Sequence, residues 1–461
     1  MAQHRDLPGS RVLIGRSAMR VYFHTFGCKA NQYDTERMRQ ESEARGALAV
    51  DGWSDADVCV LNTCTVTSAA DSAARRLVRR IHRDNPSARL VVAGCSAALH
   101  ADGYRALAGV AAVVPGPDAD AVASAVHVPA AVAAPPLVRL QLRAALDRID
   151  TEPVGAELLR ERAGATRGWL KIQDGCDRHC SFCATRLARG PSRSRAPEIV
   201  VAEGRALARV HPELVLTGIH IGHYGQELAP RSSLARLIER LLHALPDIRI
   251  RLGSVEATEV DALLLDLLAT SRGRLAPHLH MPLQSGADPV LKRMRRWHTR
   301  DAYRARALEI AERLPALGLG ADVITGFPGE TDADHEATRA LVEELPFTYL
   351  HVFPYSPRTG TAAAEMHTLE PVPQRVAGER ARGLRELAEG KAAAYRSARV
   401  GTEAEVTLEA GATIALTGDY LRVGVGDRVP TAGDRGRLHR GVLRARGGDL
   451  YIDLPRPTAP N

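Results

Sequence analysis

Three cysteines stand at C-x3-C-x2-C spacing in the run Gly175-Cys176-Asp177-Arg178-His179-Cys180-Ser181-Phe182-Cys183. Three thiolates so close in one short loop can converge on three corners of a metal cluster. The fourth corner then has no protein ligand, and a 4Fe–4S cluster held this way keeps one iron open to an outside ligand. Two other readings compete. A structural zinc wants a fourth Cys or His, and His179 lies awkwardly between the cysteines for closing a tetrahedron. A disulfide needs an oxidising compartment, which nothing else in the chain points to.

Three further cysteines repeat a second pattern. Arg20–Phe26 reads as a strand followed by Gly27-Cys28, Asp57–Thr63 as a strand ending in Cys64, and Arg89–Gly94 as a strand ending in Cys95. Helices are expected between them, over 31–45 and 68–82, and a last strand over 110–114. Strands alternating with helices imply a parallel sheet, whose carboxyl ends share the ligand-binding edge. That topology draws Cys28, Cys64 and Cys95 together, against the alternative of three unrelated buried thiols. Cys59 lies inside its strand and reads as core.

The remaining organisation follows from composition and punctuation. Residues 1–18 read as a disordered extension, with Met19 a candidate start; 19–127 form the N-terminal domain, and 128–166 a linker broken by Pro129, Pro135 and Pro136. The central domain, 167–398, opens with the strand Gly168–Gln173. Further strands are expected at 214–217, 248–253, 278–282, 321–325 and 349–353, which suits a partial (β/α)6 barrel with polar residues at its mouth. A long helix is expected over 371–398. After it, short strands at 404–408, 420–425, 435–442 and 450–454 read as a small β-barrel within 399–457. Hydrophobic residues make up 45% and charged residues 25%, as in an ordinary soluble protein; the net charge of +7 permits an anionic partner, and 4% aromatics argue against wide stacking platforms for single-stranded nucleic acid. No stretch reads as a membrane span or signal peptide, so a cytoplasmic location is expected.

The loop resembles the signature of radical S-adenosylmethionine (SAM) enzymes. With the strand-end trio and a C-terminal module similar to the OB-like TRAM domain, nearly the whole chain after residue 19 resembles the methylthiotransferases. The resemblance implies two 4Fe–4S clusters, one held by Cys176, Cys180 and Cys183 and the other by Cys28, Cys64 and Cys95. It also implies SAM as cofactor, an electron donor such as flavodoxin or ferredoxin, and a sulfur donor. In that family one SAM methylates the sulfur and another supplies the radical that opens a C–H bond. Segments 215–222, 252–256, 278–286 and 322–330 match family blocks, which implies SAM contacts at Gly218, Ser254, Glu256, Gln284, Asp322 and Gly326. Phe182 is expected to lay its ring on a purine. One departure is the run Ala184-Thr185-Arg186-Leu187-Ala188-Arg189-Gly190, where the family commonly carries an Ile-Pro-containing run.

Basic residues concentrate beside the loop and in a second patch. Arg186, Arg189, Arg193 and Arg195, with Lys292, Arg293, Arg295 and Arg296, are the expected phosphate contacts, against the alternative of a solvated charged face. The C-terminal module, with nine Arg against eight Asp/Glu from 399 to 456, is almost neutral and docks by shape or a local patch. The runs Leu216-Thr217-Gly218-Ile219-His220-Ile221-Gly222 and Ser254-Val255-Glu256-Ala257 look most like the branch that modifies N6-threonylcarbamoyladenosine at tRNA position 37. The alternatives are the N6-isopentenyladenosine branch, the branch acting on a ribosomal-protein aspartate, a radical SAM enzyme without sulfur insertion, and a non-catalytic iron–sulfur RNA-binding protein.

Overall fold

The run Val58–Thr63 opens with four apolar residues and is buried throughout, which suits a strand covered on both faces. In the computed structural model, which describes residues 18–65, 67–128, 158–411, 413–426, 434 and 436–454, it is the centre of a five-stranded parallel sheet. The strands are β1 (Met19–Thr25), β2 (Ala47–Val50), β3 (Val58–Thr63), β4 (Arg89–Gly94) and β5 (Val110–Pro115), in the order β2-β1-β3-β4-β5. Alternate residues feed two cores. Cys59, Leu61, Leu90 and Val92 pack under helix Ser68–Asp84, and Val21, Val58, Val60 and Val91 pack under helices Lys29–Ala44 and Ala119–His127. Cys59 is thus a core residue, and burial pushes its thiol up to about 12. The edge strand β2 was not expected from sequence; its four residues alternate only weakly between buried and exposed.

The central domain runs through β6 (Arg167–Lys171), the short pair β7 (Gln173–Asp174) and β8 (Arg193–Ser194), then β9 (Glu213–Thr217), β10 (Arg249–Leu252), β11 (His278–His280), β12 (Gly318–Thr325) and β13 (Tyr349–Pro354). Two parallel groups, β10-β9-β6 and β11-β12-β13, are joined by the parallel bridges Ile250–Leu275 and Ser254–His280. Six parallel strands in the order β6-β9-β10-β11-β12-β13, with helices outside, form the expected partial barrel. One large apolar core runs between the strands and helices such as Leu234–Ala244 and Arg300–Arg313. The long helix Gln374–Arg399 packs on β13 and leads into the last module.

That module is a closed barrel of five strands: β14 (Glu403–Leu408), β15 (Ile414–Thr417), β16 (Arg422–Val425), β17 (His439–Arg446) and β18 (Asp449–Asp453). It fits the small β-barrel expected there. Two details differ. β15 was missed, because Ile414–Thr417 is too short to show a period, and the strand expected at 435–442 lies at 439–446. All but the last residue of the 1–18 extension and most of the 128–166 linker fall outside the described residues.

Both flanking domains dock on the central barrel through buried charge. Helix Lys29–Ala44 lays Asp34 against Lys171 of β6 (2.7 Å), and Arg189 and Asp174 complete the group. On the other side Arg249 and Arg251 of β10 share Glu213 of β9 and donate to the carbonyls of Glu405, Leu416, Thr417 and Gly418 in the last module. Guanidinium forks thereby satisfy the carbonyls of the β15–β16 turn as it enters the barrel.

Candidate functional site

Cys28, Cys64 and Cys95 follow β1, β3 and β4, three neighbouring strands, so the sheet carries them to one edge. Gly27 makes this packing possible: it adopts φ +92, and a Cβ there would lie 2.3 Å from Cys64 Sγ. Asn31, in the first turn of the following helix, donates to the carbonyls of Phe26 and Thr63 and so ties two of the strand ends. Its Oδ1 lies 3.8 Å from Cys95 Sγ. Burial pushes the Cys95 thiol up to about 12, partly offset by Arg189, whose Nε donates to Sγ at 3.0 Å.

The second trio follows β7. Gly175, at φ +69, starts the loop where any Cβ would strike the Pro191 carbonyl. The loop is pinned by Cys176 N to Gly190 O, Ser181 N to Met294 O and Ala363 N to Ser181 O. Trp297 stands beside it between two guanidiniums, Arg178 at 4.1 Å and Arg296 at 4.2 Å from the ring centroid. Arg296 pairs with Glu256 and reaches Cys180 Sγ at 3.6 Å. His220 lies 3.7 Å from Cys176 Sγ and 2.7 Å from Glu259; burial works against its charge, but these two contacts outweigh it and raise it to about 9.

Arg189 connects the two trios. It lies six residues after Cys183, yet its guanidinium touches Cys95 and pairs with Asp34 of the N-terminal domain and Asp174 of β7. Each trio offers soft thiol donors and no fourth Cys, among the described residues, to close a zinc tetrahedron, so each fits an iron–sulfur cluster better than a structural zinc.

The inner barrel wall carries a strip of rings. Tyr420, from the β15–β16 turn, stacks on His278 (4.2 Å) and leans on Tyr349 (5.5 Å); Tyr349 faces His280, and His280 faces His351. Asp322 accepts from His280 (3.1 Å) and His351 (3.2 Å); burial disfavours its charge, but these bonds hold it well below the usual carboxylate range. His351 and Phe353 leave part of the strip open, at 54% and 39% exposure. At the other end Lys29 stands 5.9 Å above the Tyr420 ring, held down to about 8 by burial and by repulsion from Arg167 and Arg251.

Comparison with known proteins names the architecture. Residues 20–116 match the uncharacterized protein family UPF0004, and residues 170–342 the radical SAM superfamily. The chain is 35% identical to the threonylcarbamoyladenosine tRNA methylthiotransferase MtaB of Bacillus subtilis, over 87% of this chain and 89% of the relative. It is 33% identical to the MtaB of Rickettsia prowazekii (89% and 92%). It is 36% identical to the tRNA-2-methylthio-N(6)-dimethylallyladenosine synthase of Sorangium cellulosum (84% and 80%). This chain belongs to the radical SAM methylthiotransferase family. It is therefore a transferase that uses SAM and an iron–sulfur cluster. Among solved structures, the radical SAM methyltransferase TsrM of Kitasatospora setae superposes at a TM-score of 0.55 with 15% identity, over 76% of this chain and 74% of that one, a likeness of fold alone. No helix of the described residues is long and apolar enough to cross a membrane.

The site residues expected from this methylthiotransferase's sequence divide. Ser254 is exposed and bridges His280 of β11, and Gln284 stands at φ +69 with its backbone paired to β12, a strained position of the kind functional sites hold. Phe182 packs edge-on against Phe327, 6.5 Å away, in a small apolar cluster. Gly218 and Gly326 are glycines because protein crowds them: a Cβ would meet the Gln173 carbonyl at 2.7 Å and Ala377 at 2.3 Å. Glu256 spends its carboxylate on Arg296.

The arginines need correction. Arg189 and Arg195 are 3% and 1% exposed, with guanidiniums committed to Asp34 and Asp174 and to Glu203, so neither offers a phosphate contact. Arg296 is likewise buried against Glu256, and Arg293 pairs with Glu370. Sequence reasoning saw no acid nearby because these acids come from other elements. Arg186, Lys292 and Arg295 are exposed, and Arg193 is half-buried. Asp322, expected to touch SAM, is engaged by His280 and His351; those two imidazoles, with Lys29, Trp297 and Asp34, were missed. No spacing marks them: Asp34 meets Lys171 across 137 residues, and His351 meets Asp322 across 29.

Proposed function

We propose that this methylthiotransferase inserts a methylthio group at C2 of N6-threonylcarbamoyladenosine at tRNA position 37, with Cys176, Cys180 and Cys183 holding one 4Fe–4S cluster and Cys28, Cys64 and Cys95 a second. The observation that carries the reading is the Arg189 bridge. One side chain from the loop helix touches Cys95 Sγ at 3.0 Å, so the two trios face a common space across the domain junction. Bound there, the clusters and SAM supply the radical and the sulfur, with electrons and sulfur drawn from partners such as flavodoxin or ferredoxin and a separate sulfur donor.

The chain's own residues bind, orient and exclude water. Arg189, Asp34, Asp174 and Lys171 lock the two domains so that the trios keep one distance. Arg296 and His220 place nitrogen groups on Cys180 and Cys176 Sγ and so orient the sulfurs that would hold the cluster. The substrate base, which must leave its stack to expose C2, meets the ring strip of the inner wall. The exposed Arg186, Lys292 and Arg295 suit contacts to tRNA phosphates.

The 33–35% relatives called threonylcarbamoyladenosine enzymes support this branch. The 36% relative called a dimethylallyladenosine synthase favours the second reading, the isopentenyl branch. Mass spectrometry of tRNA nucleosides from cells lacking the gene separates them. Loss of methylthio-threonylcarbamoyladenosine with build-up of its precursor is the expected result. Loss of the methylthio-isopentenyl nucleoside instead keeps the chemistry and moves the branch. If neither changes, tRNA is not the substrate.

A further inference from the structure

The ring strip has opposite charges at its two ends. At one end Asp322 is answered by two imidazoles. At the other, Glu213 pairs with Arg249, Arg251 and, at 3.8 Å, Arg167, and Glu409 answers Arg167 at 2.8 Å, while Lys29 makes no ion pair among the described residues and feels Glu213 only through space. Its ammonium makes no hydrogen bond there either; its nearest defined partner is the face of Tyr420. Four cations, Lys29, Arg167, Arg249 and Arg251, thus gather around Glu213, Glu409 and, at 4.0 Å from Arg249, Glu405, and positive charge is in excess. A buried group of cations with fewer carboxylates to answer it marks a place where an anion from outside is worth more than in water.

Tyr420 gives an independent reason to read this as a built site. It adopts φ +72, a conformation that costs an aromatic residue and that glycine takes freely. The turn holds it there through Tyr420 N to Thr417 O and Thr417 N to Leu421 O. A glycine would make the same turn without strain, so the strain is retained for the ring, which stacks on His278 beneath Lys29.

We propose that Lys29 is a specificity-determining residue that binds the carboxylate of the threonylcarbamoyl group, with the substituent lying along the Tyr420–Tyr349–His280 strip. This rests on the threonylcarbamoyl reading above. Asp322 at the far end repels the same carboxylate and so fixes its direction. A neutral dimethylallyl group offers nothing to Lys29 and leaves that excess of positive charge in place, which penalises that substrate.

The test uses the reconstituted holoenzyme and three anticodon stem-loops, carrying N6-threonylcarbamoyladenosine, its methyl ester, or N6-dimethylallyladenosine. Equilibrium affinity and kcat/KM are measured for each. The wild type is expected to favour the acid over the ester roughly tenfold to a hundredfold, mainly in Kd and KM. Lys29→Gln collapses that ratio toward one, and Lys29→Arg keeps most of it. Because Lys29 adjoins Cys28, iron content is measured alongside; cluster damage lowers acid and ester alike and leaves the ratio intact. An unchanged ratio in Lys29→Gln overturns the assignment, as does a wild type that modifies the acid but binds acid and ester equally. A wild type that uses only the dimethylallyl RNA overturns the threonylcarbamoyl reading and the assignment with it.

Discussion

The loop trio and the strand-end trio bring three cysteines together by different routes. Cys176, Cys180 and Cys183 belong to one loop, pinned by a handful of backbone bonds and flanked by Arg178, Trp297 and Arg296. Cys28, Cys64 and Cys95 come from three strands, and their convergence depends on sheet register, on Gly27 and on Asn31. A local site survives damage elsewhere, whereas a site assembled from distant strands inherits every weakness of the sheet and of its docking. Mutations that loosen the N-terminal domain therefore cost the second trio first.

The sharpest way to break this contrast is to remove one ligand from each side. Cys176→Ala is expected to abolish both 5′-deoxyadenosine formation and the methylthio product. Cys64→Ala is expected to abolish the product while 5′-deoxyadenosine still forms. Equal loss of SAM cleavage in both variants would show that the strand-end trio does not hold a separate cluster. Survival of methylthio product in Cys64→Ala would remove that trio from the chemistry altogether.

Next in size is Arg189. Truncation to Ala leaves Asp34 and Asp174 buried with only Lys171 between them, and breaking such a buried group costs about 3–5 kcal/mol. Arg296→Ala removes one charged hydrogen-bonded pair with Glu256, worth about 1.5–3 kcal/mol. Chemical denaturation of both variants checks the order. If Arg296→Ala is the more damaging, the loop trio is the more fragile of the two.

The two docking interfaces can be compared through pH. The N-terminal interface balances Lys171 and Arg189 against Asp34 and Asp174, while at the C-terminal one Glu213 is the buried acid among Arg249, Arg251 and, at 3.8 Å, Arg167. Burial disfavours the Glu213 charge, but the two guanidiniums more than offset this and hold its carboxyl well below the usual range. A carboxyl depressed in the folded state contributes stability fully present above its unfolded value, about 4.3, and lost as pH falls through the folded value. Glu213→Gln is expected to cost about 3 kcal/mol at pH 7. It should also flatten the loss of stability below pH ~4. Urea midpoints measured from pH 3 to 7 give both quantities; an acid limb as steep as the wild type's would mean other carboxyls carry it.

What the sequence made legible follows the same division. The loop trio was readable from spacing, and the strand-end trio from the rule that parallel strands share a carboxyl edge. The central strands were placed from apolar stretches recurring between helical segments, such as Leu214–Leu216 of β9; β2 and β15, at four residues each and outside that alternation, were passed over. The arginines misled because charge in a sequence carries no sign of its partner. Arg189 meets Asp34 across 155 residues, and Arg296 meets Glu256 across 40. Lys29 was passed over for the opposite reason, since a lysine beside a cysteine looks ordinary until Tyr420, almost four hundred residues later, is seen beneath it.

The smallest expected effect separates exposed from buried cations. Lys292 and Arg295 are exposed and make no ion pair among the described residues, whereas Arg189 and Arg195 are fully committed. If the exposed pair contacts tRNA phosphates, Lys292→Ala and Arg295→Ala each weaken binding a few-fold, about equally for modified and unmodified RNA. Each lowers the slope of log affinity against log salt by about one. Stability is unchanged, because neither side chain is packed. Filter binding over a salt series reads the slope directly. A slope that stays at the wild-type value in both variants would make this face a solvated surface and move the tRNA contact toward Arg186 and the C-terminal barrel.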